Sequence, residues 1–157
     1  MLLSKENFYQ TLDVFRTLPV SISTFSEECF CKAFGDDSAA IERGIIYIFR
    51  SAKPVSRLRG QSDVLYIGQT KGTLRSRYLA SAKKMFSSKA NSEKYEHILS
   101  EFGPIRISVA SHKTFGETLL KAEGQLLWWY FQNHCEYPPL NYTKTSARND
   151  LVELSET

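Results

Sequence analysis

Apolar and polar positions change period several times along this chain, and each change predicts an element. Phe8, Leu12 and Phe15 recur at helical spacing, so the chain opens on a short helix. After Pro19 the pattern turns irregular, and Gly35-Asp36-Asp37-Ser38 marks a turn. From Ile45 to Phe49 the residues are β-branched or aromatic and predict a strand; Val64 to Ile67 predicts a second. Between them, Ser51 to Asp63 contains Pro54 and Gly60 and reads as a long hairpin connection, the kind of loop that often carries function. Thr73 is placed to cap a helix reaching about Phe86. A second helix covers Ser92 to Glu101 and is broken by Phe102-Gly103-Pro104. Ile105 to Ala110 alternates with polar residues as a third strand. Phe115 to His134 is the longest helical pattern, stopped by Pro138-Pro139.

The order β-β-α-α-β-α predicts an α+β fold: a small three-stranded, mostly antiparallel sheet flanked by helices. Residues 1–43 read as a partly helical N-terminal extension, 44–142 as the main unit and 143–157 as a polar C-terminal tail. A chain of 157 residues is long enough to bury a core of its own. The longest wholly apolar stretch, Leu126 to Phe131, is far too short to cross a bilayer. The N-terminus lacks the basic start and long apolar core of a secretion signal, so a cytoplasmic location is expected, with no membrane partner. Cys29, Cys31 and Cys135 form no paired framework and predict free thiols. Their spacing, even with His134, is wrong for the usual zinc loops.

The net charge of +3 hides an uneven distribution. Residues 50–94 hold eleven lysines and arginines against two acids, Asp63 and Glu93, while the rest of the chain is acidic. Such a block fits either a phosphate-backbone footprint or a solvated basic surface. Arg57, Arg59, Lys71, Arg75 and Lys84 are the candidate nucleic-acid contacts.

Glu123 is the sharpest chemical feature. On a helical wheel it falls between Leu119, Leu126, Leu127 and Tyr130, with Leu120 nearby, whereas Glu117, Lys121, Gln125 and Gln132 take the opposite face. A carboxylate against a core is costly unless it is paired or metal-bound. It is therefore either satisfied by an arginine or backbone donor, or a ligand for a hard divalent cation. Tyr47 and Tyr66 lie on consecutive strands, and as a pair they can face one scissile phosphate. Arg77 lies on the first core helix, opposite its apolar stripe, with Arg75 as a competitor. Asn141 follows Pro138-Pro139-Leu140, which holds its amide for a structural or phosphate-positioning hydrogen bond.

Taken in order, these residues resemble the GIY-YIG nuclease family. Ile45-Ile46-Tyr47 matches the first motif and Tyr66-Ile67-Gly68 the second. Arg77, three after Leu74, matches the family arginine. Glu123, in an Ala-Glu-x-x-Leu-Leu context, matches the metal-binding glutamate, and Pro139-Leu140-Asn141 the closing asparagine. Gly44 is displaced by one position from the family glycine, and Ser81 stands where restriction members carry a histidine.

The resemblance implies an endonuclease that hydrolyses phosphodiester bonds in DNA, duplex or branched. It implies Mg²⁺ or Mn²⁺ at Glu123, with Tyr47, Tyr66, Arg77, Glu123 and Asn141 as the catalytic set. A homodimer on the substrate and a nucleoid- or nucleus-associated location follow from that role. Two other classes stay open on the same fold: a nucleic-acid-binding adaptor that does not cut, and a protein-interaction module.

Overall fold

The computed structural model describes residues 2–141 and 151–154. Along the chain run β1 (Leu2–Leu3), α1 (Phe8–Thr11), β2 (Arg16–Thr17), α2 (Glu27–Phe34), β3 (Ile45–Ser56) and β4 (Gln61–Thr70). They are followed by α3 (Leu74–Leu79), α4 (Ala82–Ser87), α5 (Lys89–Phe102), β5 (Ile105–Ser111), α6 (Leu119–His134) and β6 (Val152–Glu153). The protein is α+β, and both of its sheets are antiparallel.

The main sheet has four strands in the order β2-β5-β3-β4, not the three expected. The fourth comes from the N-terminal extension: Arg16 and Thr17 pair with Val109 and Ser108. The amide of Leu18 continues the pairing to the Ile107 carbonyl, and Ile22 exchanges both backbone bonds with Ile105. This segment covers an edge of β5 that would otherwise present unpaired backbone groups. A separate ladder pairs Leu2 and Leu3 with Glu153 and Val152. Residues 143–150 and 155–157 of the expected C-terminal tail lie outside the described residues.

β3 is the centre of the sheet and is buried on both faces. Ile45, Tyr47 and Phe49 point to one side, where α2, α3 and α5 cover them with Phe30, Phe34, Tyr78, Tyr95 and Ile98. Ile46 and Ile48 point to the other, against Phe8 and Leu12 near α1 and Leu126, Trp129 and Tyr130 of α6. The strand alternates between two cores, which is why it reads as a continuous apolar run.

The hairpin differs from the expected loop. β3 and β4 continue past the motifs almost to the turn, where the Arg57 amide donates to the Gly60 carbonyl at 2.9 Å and Gly60 has φ +73°. Pro54 is tolerated because the ladder skips from Arg50 to Val55 at that point, so no pairing bond is lost to its missing N–H.

The single helix expected from Thr73 to Phe86 is two, α3 and α4, separated at Ala80-Ser81. Thr73 does cap the first, accepting from the Ser76 amide at 3.1 Å. At the break, the Ser81 hydroxyl donates to the Arg77 carbonyl and its amide to the Tyr78 carbonyl. Such back-bonding competes with the regular ladder. The long helix begins at Leu119, where the Thr118 hydroxyl accepts from the Lys121 amide, and Phe115 falls just after a 3-10 turn at His112–Thr114. Among the described residues no helix is long and apolar enough to cross a membrane.

Candidate active site

Tyr47 and Phe49 of β3 stand directly opposite Gly68 and Tyr66 of β4. Pleating sends all four residues to the same face, so the two tyrosine rings meet, with centroids 5.8 Å apart. A β-carbon on Gly68 would fall 2.7 Å from Tyr47 Cζ and 2.5 Å from Tyr66 Cε1. The glycine is what lets both rings lie flat over the strand.

Arg77 projects from α3 to the opposite wall. Tyr47, Tyr66 and Arg77 line one cleft of ≈ 210 Å³, together with Phe49, Tyr78 and Tyr95. The guanidinium donates to the Ser81 hydroxyl at 3.0 Å. It is held above its ordinary pKa, first by the Tyr47 phenol oxygen beside it. Arg75 points away and pairs with Asp37 at 3.3 Å. The competition between the two arginines is therefore decided by which side of α3 faces the sheet.

Burial raises the Tyr66 phenol well above its usual range, and the neighbouring Tyr47 and the Glu123 carboxylate add to the shift. Glu123 acts on it from α6, which packs along β4. Burial also raises the Glu123 carboxyl, with no donor or cation among the described residues to offset it. Tyr78, buried at the cleft wall, is raised in the same direction, by burial first and then by Tyr47.

The wheel around Glu123 needs correction. Gln125, assigned to the polar face, is 2% exposed, and Leu120, assigned near the apolar stripe, is 65% exposed. Glu123 is half-buried rather than central. The cause is that α6 is covered from more than one side. β4 lies along one flank and the N-terminal segment along another, where Asn133 donates to the Lys5 carbonyl at 2.8 Å.

Like Glu123, Asn141 is not among the residues that line this cleft. Its Nδ2 donates to the Ile67 carbonyl at 2.8 Å, and its Oδ1 accepts from the Ile67 amide at 3.0 Å. The Leu140 amide adds a bond to the Leu65 carbonyl. The side chain acts as a one-residue strand on the open edge of β4, between the tyrosine and the glycine of the second motif. Both ends of its amide are engaged in holding that strand.

The candidate nucleic-acid contacts separate into two groups. Arg57 is tucked against Glu136 at 3.0 Å and donates to the Tyr137 carbonyl. Arg59 donates to the carbonyls of Gln132 and Asn133. Arg59 neutralises the carbonyl-rich end of α6, where cations are favourable, and Arg57 binds the segment just beyond it. Lys71 and Lys84 are exposed, and their ammonium groups make no hydrogen bond or ion pair among the described residues. Lys83 and Lys89, on and beside α4, share that exposure and were not singled out by sequence. Tyr78, Ser81, Asn91 and Tyr95 also line the cleft; in sequence Ser81 stood out only as the position of the family histidine, and Tyr78 and Tyr95 only as helix positions.

Among the described residues no group of three or more His, Cys, Asp and Glu side chains could share an ion. The carboxylate at Glu123 is a single hard-oxygen donor without a partner among the described residues. That donor set fits one Mg²⁺ or Mn²⁺ completed by water and phosphate oxygens, and does not fit a closed zinc site. No protein-family model, no curated protein and no solved structure matches this chain.

Proposed function

We propose that this chain is a divalent-metal-dependent endonuclease of the GIY-YIG type, acting on DNA. One observation carries the reading: Tyr47 and Tyr66 face a single cleft whose opposite wall is Arg77, over a glycine with no room for a side chain. The half-buried Glu123, near enough to Tyr66 to raise its phenol and without a partner among the described residues, supports it, as do the exposed lysines Lys71 and Lys84.

In this reading Arg77 binds the scissile phosphate and offsets the charge that grows on it in the transition state. Tyr47 hydrogen-bonds the attacking water and aligns it with phosphorus. Tyr66 is held protonated by burial and serves as a donor, not as a base, at neutral pH. Glu123 would hold the Mg²⁺ or Mn²⁺, whose bound form supplies Lewis-acid stabilisation of the leaving oxygen. Asn141 keeps β4 in register so that Tyr66 and Gly68 stay in place. Lys71 and Lys84 guide the backbone to the cleft, while Arg57 and Arg59 hold the hairpin onto α6. With one site per chain, cutting both strands calls for two copies on the DNA or two successive nicks.

The test is cleavage of supercoiled and branched DNA with Mg²⁺. Cutting that disappears with EDTA, and in Glu123→Ala protein of unchanged melting temperature, supports the proposal. DNA binding with no cutting under any metal would replace it with the adaptor reading.

A further inference from the structure

Arg43, Lys71 and Lys113 come from three separate parts of the chain and meet at one end of the main sheet. Ile45, the first residue of β3, stands between Thr70 of β4 and Ser111 of β5. One residue further out the pairing continues through backbone bonds. The Gly44 amide donates to the Lys71 carbonyl at 3.0 Å, and the His112 amide donates to the Gly44 carbonyl at 3.1 Å. The His112 ring adds a bond from Nδ1 to the same carbonyl at 2.7 Å. Arg43 precedes Gly44 and Lys113 follows His112, so three neighbouring strands each carry a cation at this end.

All three residues are exposed, and none of their charged groups makes a hydrogen bond or an ion pair among the described residues. The acids close to them in the chain are engaged elsewhere: Glu42 holds Arg16 at 3.1 Å, and Glu117 holds Lys121 at 2.9 Å. Neither offsets the row. Arg43 and Lys113 lie outside the basic block of residues 50–94, so charge read along the chain passes over them; only the sheet joins them to Lys71.

Adjacent strands lie about 4.8 Å apart, which sets the outer two of these three backbones about 10 Å from each other. That is about three steps of one DNA strand, whose phosphates follow one another at a rise of about 3.4 Å. Lys71 also lies three residues beyond Gly68, so at strand rise it is about 10 Å from the floor of the Tyr47–Tyr66–Arg77 cleft. A nucleic-acid backbone leaving the cleft in this direction meets the row within a few nucleotides. Separated point charges of this kind hold and orient a phosphate backbone without reading its bases.

We propose that this row is a second phosphate-binding surface, which holds the backbone of duplex DNA where it leaves the cleft. The proposal rests on DNA as the ligand of that cleft and not on its being cut.

The experiment is duplex binding in EDTA over a range of salt concentrations, so that no cleavage is needed. Arg43→Gln, Lys71→Gln, Lys113→Gln and the triple variant are compared with Lys53→Gln, which removes one exposed cation near the hairpin end of the same sheet. Each replaced cation of the row is expected to reduce the slope of log affinity against log salt by about 0.9, and the triple variant by about 2.7. Lys53→Gln is expected to leave the slope unchanged. A wild-type slope in the folded triple variant overturns the inference, as does a slope lowered equally by Lys53→Gln. If the triple variant fails to fold, the three single variants decide by the same criterion. Wild-type protein that binds phosphatidylserine vesicles and no duplex assigns the row to a membrane surface and overturns the inference as well. A triple variant that keeps the wild-type slope in a protein that cuts DNA leaves the nuclease reading and loses the surface. A lowered slope in a protein that never cuts keeps the surface and removes the nuclease reading.

Discussion

Tyr47 lies directly across the ladder from Gly68, and its ring occupies the space that a side chain on Gly68 would need. The atoms in the way belong to two packed rings, so they cannot step aside cheaply. Gly68→Ala is predicted to destabilise the protein by about 1–3 kcal/mol, the usual range for overpacking. It should also displace both phenols and reduce cleavage. Denaturant unfolding beside a cleavage assay checks both effects. A variant of wild-type stability would show that the rings have room to move.

Asn141 is predicted to act through Ile67. Asn141→Ala removes one donor and one acceptor from the edge of β4 and should cost about 1–3 kcal/mol. Asn141→Asp loses the donation to the Ile67 carbonyl and sets two oxygens against each other, so it should be no better than alanine. Denaturation midpoints measure the loss. If both variants retain wild-type stability yet lose cleavage, Asn141 acts on substrate instead.

The buried phenols set an alkaline limit. In the folded protein Tyr9, Tyr66 and Tyr78 are raised above the ordinary value of 10.0, burial being the first cause in each case. A raised folded pKa means that the folded state binds the proton more tightly than the unfolded state. That contribution is complete below pH 10 and is lost as pH rises towards the folded values. Tyrosinate absorbance and far-ultraviolet circular dichroism, followed together above pH 10, are predicted to show a delayed group of phenols ionising only as structure is lost. Ionisation of all eight tyrosines with the secondary structure intact would contradict the burial seen here.

Exposed lysines and docked arginines should separate by salt dependence. Lys84→Ala is predicted to reduce the slope of log affinity against log salt by about one unit, the signature of one phosphate contact. Arg59→Ala should leave that slope unchanged and lower stability instead, because its partners are the Gln132 and Asn133 carbonyls. The reverse result would place the DNA on the hairpin side.

These contrasts show which parts of the molecule were legible in sequence. Tyr47 and Tyr66 were readable because a two-residue period and adjacent strands are local properties. Helical spacing put Arg77 on the first core helix, opposite its apolar stripe, and only the family resemblance singled it out; that it lines the cleft while Arg75 pairs with Asp37 needed the structure. The β2 strand was not readable, since two residues carry no period and its pairing with Val109 and Ser108 is set by distant chain. Arg57 and Arg59 looked like a footprint because charge is visible in sequence, while the carbonyls that hold them lie more than seventy residues away. Gln125 was misplaced because a wheel describes one covered face, and α6 is covered on several.

The central claim is that the Tyr47–Tyr66–Arg77 cleft is a nuclease site, and Arg77 tests it most directly. Its side chain is exposed, donates to Ser81 one turn on and lies beside the Tyr47 phenol, outside the packed core, so Arg77→Ala should keep the fold. The measurement is the single-turnover rate of Mg²⁺-dependent plasmid nicking by wild type and Arg77→Ala at matched DNA occupancy. The account predicts a fall of about 10²–10³ with an unchanged melting temperature, as for loss of one transition-state donor. Wild-type nicking that persists undiminished in Arg77→Ala would contradict it.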